Sequence, residues 1–284
     1  MLINSIENFI QYLPTAKGSK WWTIEPYVQS AEEEIKSQLT GEDLFDAISA
    51  LSENTGAKGA LLRLICHQAY YMAVPFVDLQ QTDNGFAVVS NGNLAPASKE
   101  RIERLLEWSK KMIARQTDVL IYAVMSLDEL LAEWKKADVF LELTNCLFFT
   151  GMEFSNYTKS AMQYNRFDFL DAKNDLLVWQ KNIIESAVSR DLLEDIIEEM
   201  RSNKVSDDNN KILHLCRMFL GKMWLGKQED EPKREAKKLL NNIEYELESN
   251  LEKYPLYKNS KEFALKQTPR FQNEQKHSTF FFSI

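Results

Sequence analysis

The chain contains few of the residues that interrupt regular secondary structure. Its 284 residues include nine glycines and seven prolines, about half of the roughly 12 % that these two residues usually make up together. No proline lies between Pro96 and Pro232. Because β-sandwiches, barrels and doubly wound α/β folds need frequent turn residues, this spacing predicts an all-α fold, a bundle of helices.

Charge and cysteine content argue against several classes of protein. The formal net charge is −8, whereas general nucleic-acid binding needs clustered lysine and arginine to neutralise phosphates. Cys66, Cys146 and Cys216 are widely spaced in apolar surroundings, which favours buried thiols in a reducing compartment over a disulfide framework. No signal peptide is recognisable, and no apolar run approaches the roughly 18 residues that span a bilayer. We therefore expect a protein made in the cytoplasm, without a membrane or a specific nucleic acid as partner.

Helical periodicity divides the chain into four predicted segments. These are a first helical unit (1–81), a β segment with a long connecting helix (82–145), a second helical unit (146–253) and an extended Phe-rich tail (254–284). Apolar residues between two turn signals predict the short β segment near 85–90. A capping-box pattern at 126–129 predicts a break in the long helix, with one unbroken helix as the alternative.

The two helical units share an order of short helix, long helix, short helix and apolar helix. A shift of 148 positions aligns four identical pairs, which are Ile35 with Ile183, Asp43 with Asp191, Leu44 with Leu192 and Ile48 with Ile196. Duplication of a helical unit explains these matches. Unrelated amphipathic helices could also give them, so both interpretations stay open.

Patterns that carry catalysis or metal binding are weak. The chain lacks the common phosphate-loop, zinc-protease and nucleophile-elbow motifs. Cys66 beside His67, and His214 near Cys216, diverge by about 100° and 200° on a helix, so we expect core cysteines beside boundary histidines. For the acidic clusters Glu32-Glu33-Glu34 and 194–199 we expect solvated helix faces. The sequence therefore predicts a non-enzymatic protein with no cofactor and no metal.

Two segments are unusual for a solvated helical protein. One is the irregular stretch 85–98, which is either a simple connector or an edge offered to a neighbour. The other is the Phe-rich end: side chains alternate along a strand, so one strand face cannot bury three consecutive phenylalanines. That end docks either on another subunit or on its own chain. The candidate subunit-interface residues are Phe86, Val88, Asn91, Asn93, Phe280, Phe281, Phe282 and Ile284.

Charge is unevenly distributed along the chain. Residues 25–53 contain eight acidic residues and one lysine, whereas residues 254–284 contain five basic and two acidic residues. Separated acidic and basic surfaces suit head-to-tail association of identical subunits. A solvated helix face and an ordinary basic tail are the alternative interpretation.

Short motifs, most of them in the first third of the chain, occur together in a recognisable set. They are Leu2-Ile3, Tyr12-Leu13-Pro14, Ile24-Glu25-Pro26-Tyr27, Glu32-Glu33-Glu34, Leu39-Thr40-Gly41-Glu42-Asp43-Leu44, Gly85-Phe86, Val88-Val89-Ser90-Asn91, Asn93, Ala95-Pro96-Ala97-Ser98 and Arg101. In this combination the chain resembles a poorly characterised group of prophage-encoded proteins of the head–tail connector (neck or head-completion) type. The resemblance implies an all-α adaptor that forms a homo-oligomeric ring in the virion. Its expected partners are the portal protein and the tail or neck proteins, and its expected place of synthesis is the cytoplasm of a bacterial host.

A second function is compatible with the same residues. An intracellular helical protein-binding module of regulatory type would use the groove between the two helical units as a peptide site. A concave apolar groove that lies outside any ring interface would favour this alternative.

Overall fold

The computed structural model describes residues 1–16, 18–52, 55–76, 79–82, 85–88, 98–158, 166–227 and 229–268. In these ranges the chain is mostly helical, which confirms the predicted class. The α-helices are α1 (Ile6–Tyr12), α2 (Trp21–Ile35), α3 (Gly41–Ala50), α4 (Gly56–Ala73), α5 (Lys99–Met125), α6 (Asp128–Trp134), α7 (Val139–Leu143), α8 (Gly151–Thr158), α9 (Arg166–Trp179), α10 (Glu185–Val188), α11 (Arg190–Arg201), α12 (Asp207–Leu225), α13 (Asp230–Ser249), α14 (Pro255–Lys258) and α15 (Lys261–Gln267).

A short antiparallel ribbon connects α4 with α5. It consists of β1 (Leu79–Thr82) and β2 (Gly85–Val88). In its register Leu79 faces Val88 and Thr82 faces Gly85. The two strands therefore run in opposite directions.

The long helix breaks where the capping-box pattern predicts. α5 ends at Met125 and α6 begins at Asp128. Leu127 between them has an extended backbone, and the Ser126 hydroxyl donates to the Tyr122 carbonyl at 2.7 Å. A serine that bonds back to its own helix competes with the helical ladder, which is consistent with a break at this position.

Each half of the chain contains a long helix that widens into a π-helical turn. α2 continues into the turn Lys36–Thr40 and ends at Gly41, which has φ 71° and ψ 174°. α9 continues into the turn Gln180–Ile184 and then through α10 to Ser189, which has φ 79° and ψ 155°. Gly41 and Ser189 are 148 positions apart and have similar backbone angles. A shorter helix begins at Gly41 in the first half (α3) and directly after Ser189 in the second (α11).

The buried apolar side chains form two clusters. The first extends from Ile3 to Phe140 and includes α5, which packs along α4. The second extends from Cys146 to Tyr257. The Trp134 indole N–H donates to the Leu39 carbonyl at 2.8 Å, and this hydrogen bond holds α6 against the first cluster. The half-buried Met125 packs against both clusters, so the end of α5 lies where the two halves meet.

The prediction of an extended tail from residue 254 onward is wrong for the part of it that the structure describes. Residues 255–258 and 261–267 are helical, and the side chains of Tyr254 and Tyr257 are buried in the second cluster. Pro255 begins α14, because a proline at the first helical position loses no hydrogen bond. Ser260 then caps α15 by accepting from the Phe263 N–H at 3.1 Å.

Candidate functional site

The cysteines and the two histidines that the structure describes, His67 and His214, do not form a common site. Cys66, Cys146 and Cys216 are buried and unpaired, and burial raises the pKa of all three thiols, that of Cys146 to about 11. His67 is buried, whereas His214 is exposed and its Nδ1 lies 3.0 Å from the Tyr157 hydroxyl. Across the described ranges, no group of three or more histidine, cysteine or acidic side chains could hold a metal ion.

His67 is an unusual core residue whose charge state affects stability. Its Nδ1 and the buried Ser109 hydroxyl have no hydrogen-bond partner among the described residues, and its ring lies edge-on to Trp108 at 5.1 Å. Burial, and secondarily the positive charge of Arg63, lower the pKa of His67 to about 4. The folded protein therefore holds this histidine neutral over a pH range in which the unfolded chain binds a proton.

We expect the free energy of unfolding to fall as the pH is lowered from 6.5 to 4. An unfolded histidine has a pKa of about 6.5, so the unfolded state binds more protons in this window. The His67 contribution reaches up to about 3 kcal/mol. Urea unfolding of the wild-type protein and of His67→Leu, measured in steps from pH 7 to pH 4, isolates it, because the other titrating groups are common to both. Equal slopes for the two proteins would contradict the assignment.

One acidic cluster differs from its prediction. Glu32 is buried instead of solvated: it accepts a hydrogen bond from the Leu2 N–H at 2.6 Å and lies 3.6 Å from the amino group of Met1. Glu33 is exposed, and the half-buried Glu34 accepts from the Gln68 amide at 2.8 Å. The first residues of the chain fold back on α2, and this contact could not be predicted from the periodicity of α2 alone.

The candidate functional site is a groove between the two halves, which we call the inter-half groove. Its cavity has a volume of about 360 Å³. One wall is the second half of α5, and the others are α8, the end of α11 and the first half of α12. Buried apolar side chains form its floor (Ile121, Phe149, Met200 and Leu213). At its mouth Tyr122 is 74 % exposed and Met152 is 44 % exposed.

A buried ion pair fixes the two halves beside the groove. Asp118 of α5 binds the guanidinium of Arg166, the first residue of α9, and also accepts from the Met152 N–H at 3.0 Å. The Asp118 side chain is fully buried and that of Arg166 nearly so. One carboxylate therefore joins three elements, α5, α8 and α9, and holds the start of α8 in place.

Other polar side chains of the groove also have partners within the protein. Arg217 donates to the Leu147 carbonyl at 2.7 Å and to Glu153 at 2.8 Å. Glu153 also accepts from the Phe149 N–H at 2.7 Å, and Asn203 donates to the Met125 carbonyl at 3.0 Å. The polar groups thus shape the walls of the groove, and its free surface is largely apolar.

None of the predicted interface residues is among the described residues that line the inter-half groove. Phe86 and Val88 belong to β2, whose backbone alone is described. Asn91, Asn93, Phe280, Phe281, Phe282 and Ile284 lie outside the described residues. The structure therefore does not test the proposed grouping of these side chains.

One feature of the sequence indicates a buried polar contact beside the groove. On α5, Ala114, Asp118 and Ile121 lie along one helical face, so a charged residue interrupts an apolar row at Asp118. A carboxylate in such a row needs a buried partner. The partner, Arg166, is 48 positions away, and helical periodicity alone does not connect two residues so far apart.

Among the described helices, none combines the length and the apolar character that a membrane span requires.

Comparison with known proteins gave one family match. Residues 23–121 and 227–266, together somewhat less than half of the chain, are similar to a family of unknown function, DUF6712. Neither a curated protein nor a solved structure matches the chain. The family match covers α2 to most of α5 and α13 to most of α15, and it leaves most of the inter-half groove unmatched.

Proposed function

We propose that the chain is a non-enzymatic structural protein of a phage or prophage virion, a head–tail connector subunit that assembles with copies of itself. The motif set in the first third of the chain supports the choice of family. The distribution of apolar side chains on α9 supports self-assembly and is the structural observation on which the proposal depends.

α9 carries apolar side chains on two opposite faces. Phe169, Ala172 and Leu176 are buried in the second cluster. At 100° per residue, the exposed side chains of α9 project from the other side, and the apolar ones among them are Phe167, Leu170 and Val178. The exposed polar residues Asp171 and Asn174 share this outer face. Three large exposed apolar side chains on a helix whose inner face is already buried fit a contact that a neighbouring subunit covers.

The remaining parts of the proposal concern organisation and place. The two halves would be repeated helical units, and the similar backbone angles at Gly41 and Ser189 support this. Identical subunits that contact one another head to tail form a ring when the rotation between neighbours closes. The ring would lie between the portal and the tail or neck proteins of the virion, after synthesis in the cytoplasm of a bacterial host.

A charge on the exposed row of α9 is expected to prevent assembly without unfolding the protein. Val178 is 53 % exposed, so Val178→Glu places a carboxylate in the proposed interface and leaves the core unchanged. Native mass spectrometry should show oligomers for the wild-type protein, alone or with a portal protein, and monomers for Val178→Glu. The matched control is Leu265→Glu on α15, where the native side chain is 74 % exposed.

Two results would contradict the proposal. The first is a wild-type protein that stays monomeric at all concentrations, with and without portal protein. The second is assembly of Val178→Glu equal to that of the wild type, with unchanged thermal stability in both.

The regulatory protein-binding module stays a second candidate because of the inter-half groove. An apolar groove with an exposed tyrosine and an exposed methionine at its mouth could accept a peptide from another protein. This candidate predicts a monomer that binds its peptide in the groove and does not use the exposed row of α9. The Val178→Glu experiment therefore separates the two functions, because only self-assembly depends on α9.

A further inference from the structure

Three methionines line the inter-half groove from three different helices. Met125 is at the end of α5, Met152 is near the start of α8 and Met200 is near the end of α11. Methionine is flexible and polarisable, and its sulfur makes favourable contacts with aromatic rings. Because the nearby charged groups Asp118, Glu153 and Arg217 are bound within the protein, the groove suits an apolar and preferably aromatic occupant.

The chain itself contains a segment of this chemistry. Phe280, Phe281 and Phe282 follow the last described residue, Thr268, by only 12 to 14 positions. A fully extended chain covers about 3.3–3.6 Å per residue, so the connecting residues can span roughly 40 Å. The segment is therefore long enough to reach a groove on a neighbouring molecule.

The C-terminal helices lie on another side of α12 from the groove. Lys211 and Lys222 of α12 pair with Glu246 and Glu235 of α13 at 2.6 and 2.5 Å. Leu213 and Arg217 of α12 line the groove instead. At 100° per residue these two faces of α12 are roughly 150° apart.

The last described helix, α15, also contacts the protein on the side where α13 lies. Lys266 of α15 donates to Glu244 of α13 at 2.8 Å and to the Ala187 carbonyl at 3.3 Å. The chain beyond Thr268 therefore starts away from its own groove, which favours the groove of another copy as its destination.

We propose that the inter-half groove binds the Phe280–Phe282 segment of a second copy of the chain. This inference rests on the proposed self-assembly and names one of its contacts. In an extended segment alternate side chains point the same way, so Phe280 and Phe282 enter the groove toward its apolar floor. Phe281 then faces outward, beside the exposed ring of Tyr122.

Two complementary variants of the full-length chain test this contact. Met152→Arg blocks the mouth of the groove, and the triple variant Phe280→Ser, Phe281→Ser, Phe282→Ser removes the aromatic segment. We expect each variant alone to associate at least about tenfold more weakly than the wild type, because the burial of at least one phenylalanine is lost. The two variants mixed should form a heteromeric contact, since one supplies an intact segment and the other an intact groove. Leu265→Arg, on exposed α15, is the matched control for the added charge.

Crosslinking identifies the occupant directly. A photoreactive benzophenone side chain placed at position 281 should crosslink to Tyr122 or Met152, at the mouth of the groove of another molecule, and mixed isotope-labelled and unlabelled protein shows whether the bond joins two chains. Crosslinks only within one chain, or no heteromeric contact between the two variants, would overturn the proposal. If the wild type assembles while Met152→Arg has no effect, the groove contact fails and the proposed self-assembly stands. If the wild type never associates, both fail.

Discussion

Asp118→Ala is expected to lower the free energy of unfolding by about 3–5 kcal/mol, the range found when one partner of a buried ion pair is removed. The Asp118 side chain has no exposed surface, and its loss leaves the buried guanidinium of Arg166 without this carboxylate. The Met152 N–H loses its acceptor at the same time. Urea unfolding followed by circular dichroism at pH 7 measures the change.

Two further variants show whether burial causes the effect of Asp118→Ala. Asp175→Ala removes a carboxylate from a partly exposed pair with Lys227, and exposed pairs contribute about 0–1 kcal/mol. The double variant Asp118→Leu, Arg166→Met replaces both charges with apolar groups of similar size and should recover much of the loss, because buried pairs are often replaceable in this way. Equal losses for Asp118→Ala and Asp175→Ala would contradict the importance of the buried pair.

Local signals were sufficient for the helical class and for the break in the long helix. The class follows from scarce glycine and proline, and each helix then needs only its own periodic apolar row. At residues 126–129 a serine with acidic residues shortly after it indicates a new helix start, and α6 does begin there, although Ser126 bonds back to the Tyr122 carbonyl and no side chain caps α6. Features that depend on neighbours in sequence could therefore be predicted.

The features that the sequence did not predict correctly depend on contacts between residues far apart in the chain. Glu32 lies in an acidic run, but the folded-back N-terminus buries it. Pro255 predicts a stop when taken alone, yet the burial of Tyr254 and Tyr257 favours a helix that begins at this proline. The inter-half groove is a stronger example, because α5, α8, α11 and α12 each contribute side chains to it. No single segment carries its pattern.

Substitutions at the equivalent positions Gly41 and Ser189 are expected to change the free energy of unfolding in opposite directions. Both have backbone angles that side-chain-bearing residues rarely adopt, and holding such a residue there costs about 1–3 kcal/mol. In Gly41→Ala the new Cβ would also lie 2.7 Å from the Ala137 Cβ, and overpacking adds about 1–3 kcal/mol. We therefore expect Gly41→Ala to lower the free energy of unfolding by about 2–6 kcal/mol.

Ser189→Gly is expected to leave stability unchanged or to raise it by up to about 2 kcal/mol. It relieves the backbone strain of about 1–3 kcal/mol, and this gain is offset by the greater freedom of glycine in the unfolded chain, about 0.5–1 kcal/mol. The Ser189 hydroxyl also caps α11 by accepting from the Leu192 N–H at 3.4 Å, but replacing a cap with glycine costs only a few tenths of a kcal/mol. Thermal and urea unfolding of both variants compare the signs directly. A stabilising Gly41→Ala, or a Ser189→Gly that destabilises by more than about 1 kcal/mol, would mean that backbone strain does not govern stability at these two positions. Changes of opposite sign in the free energy of unfolding would show that both halves have the same turn and form it with different residues.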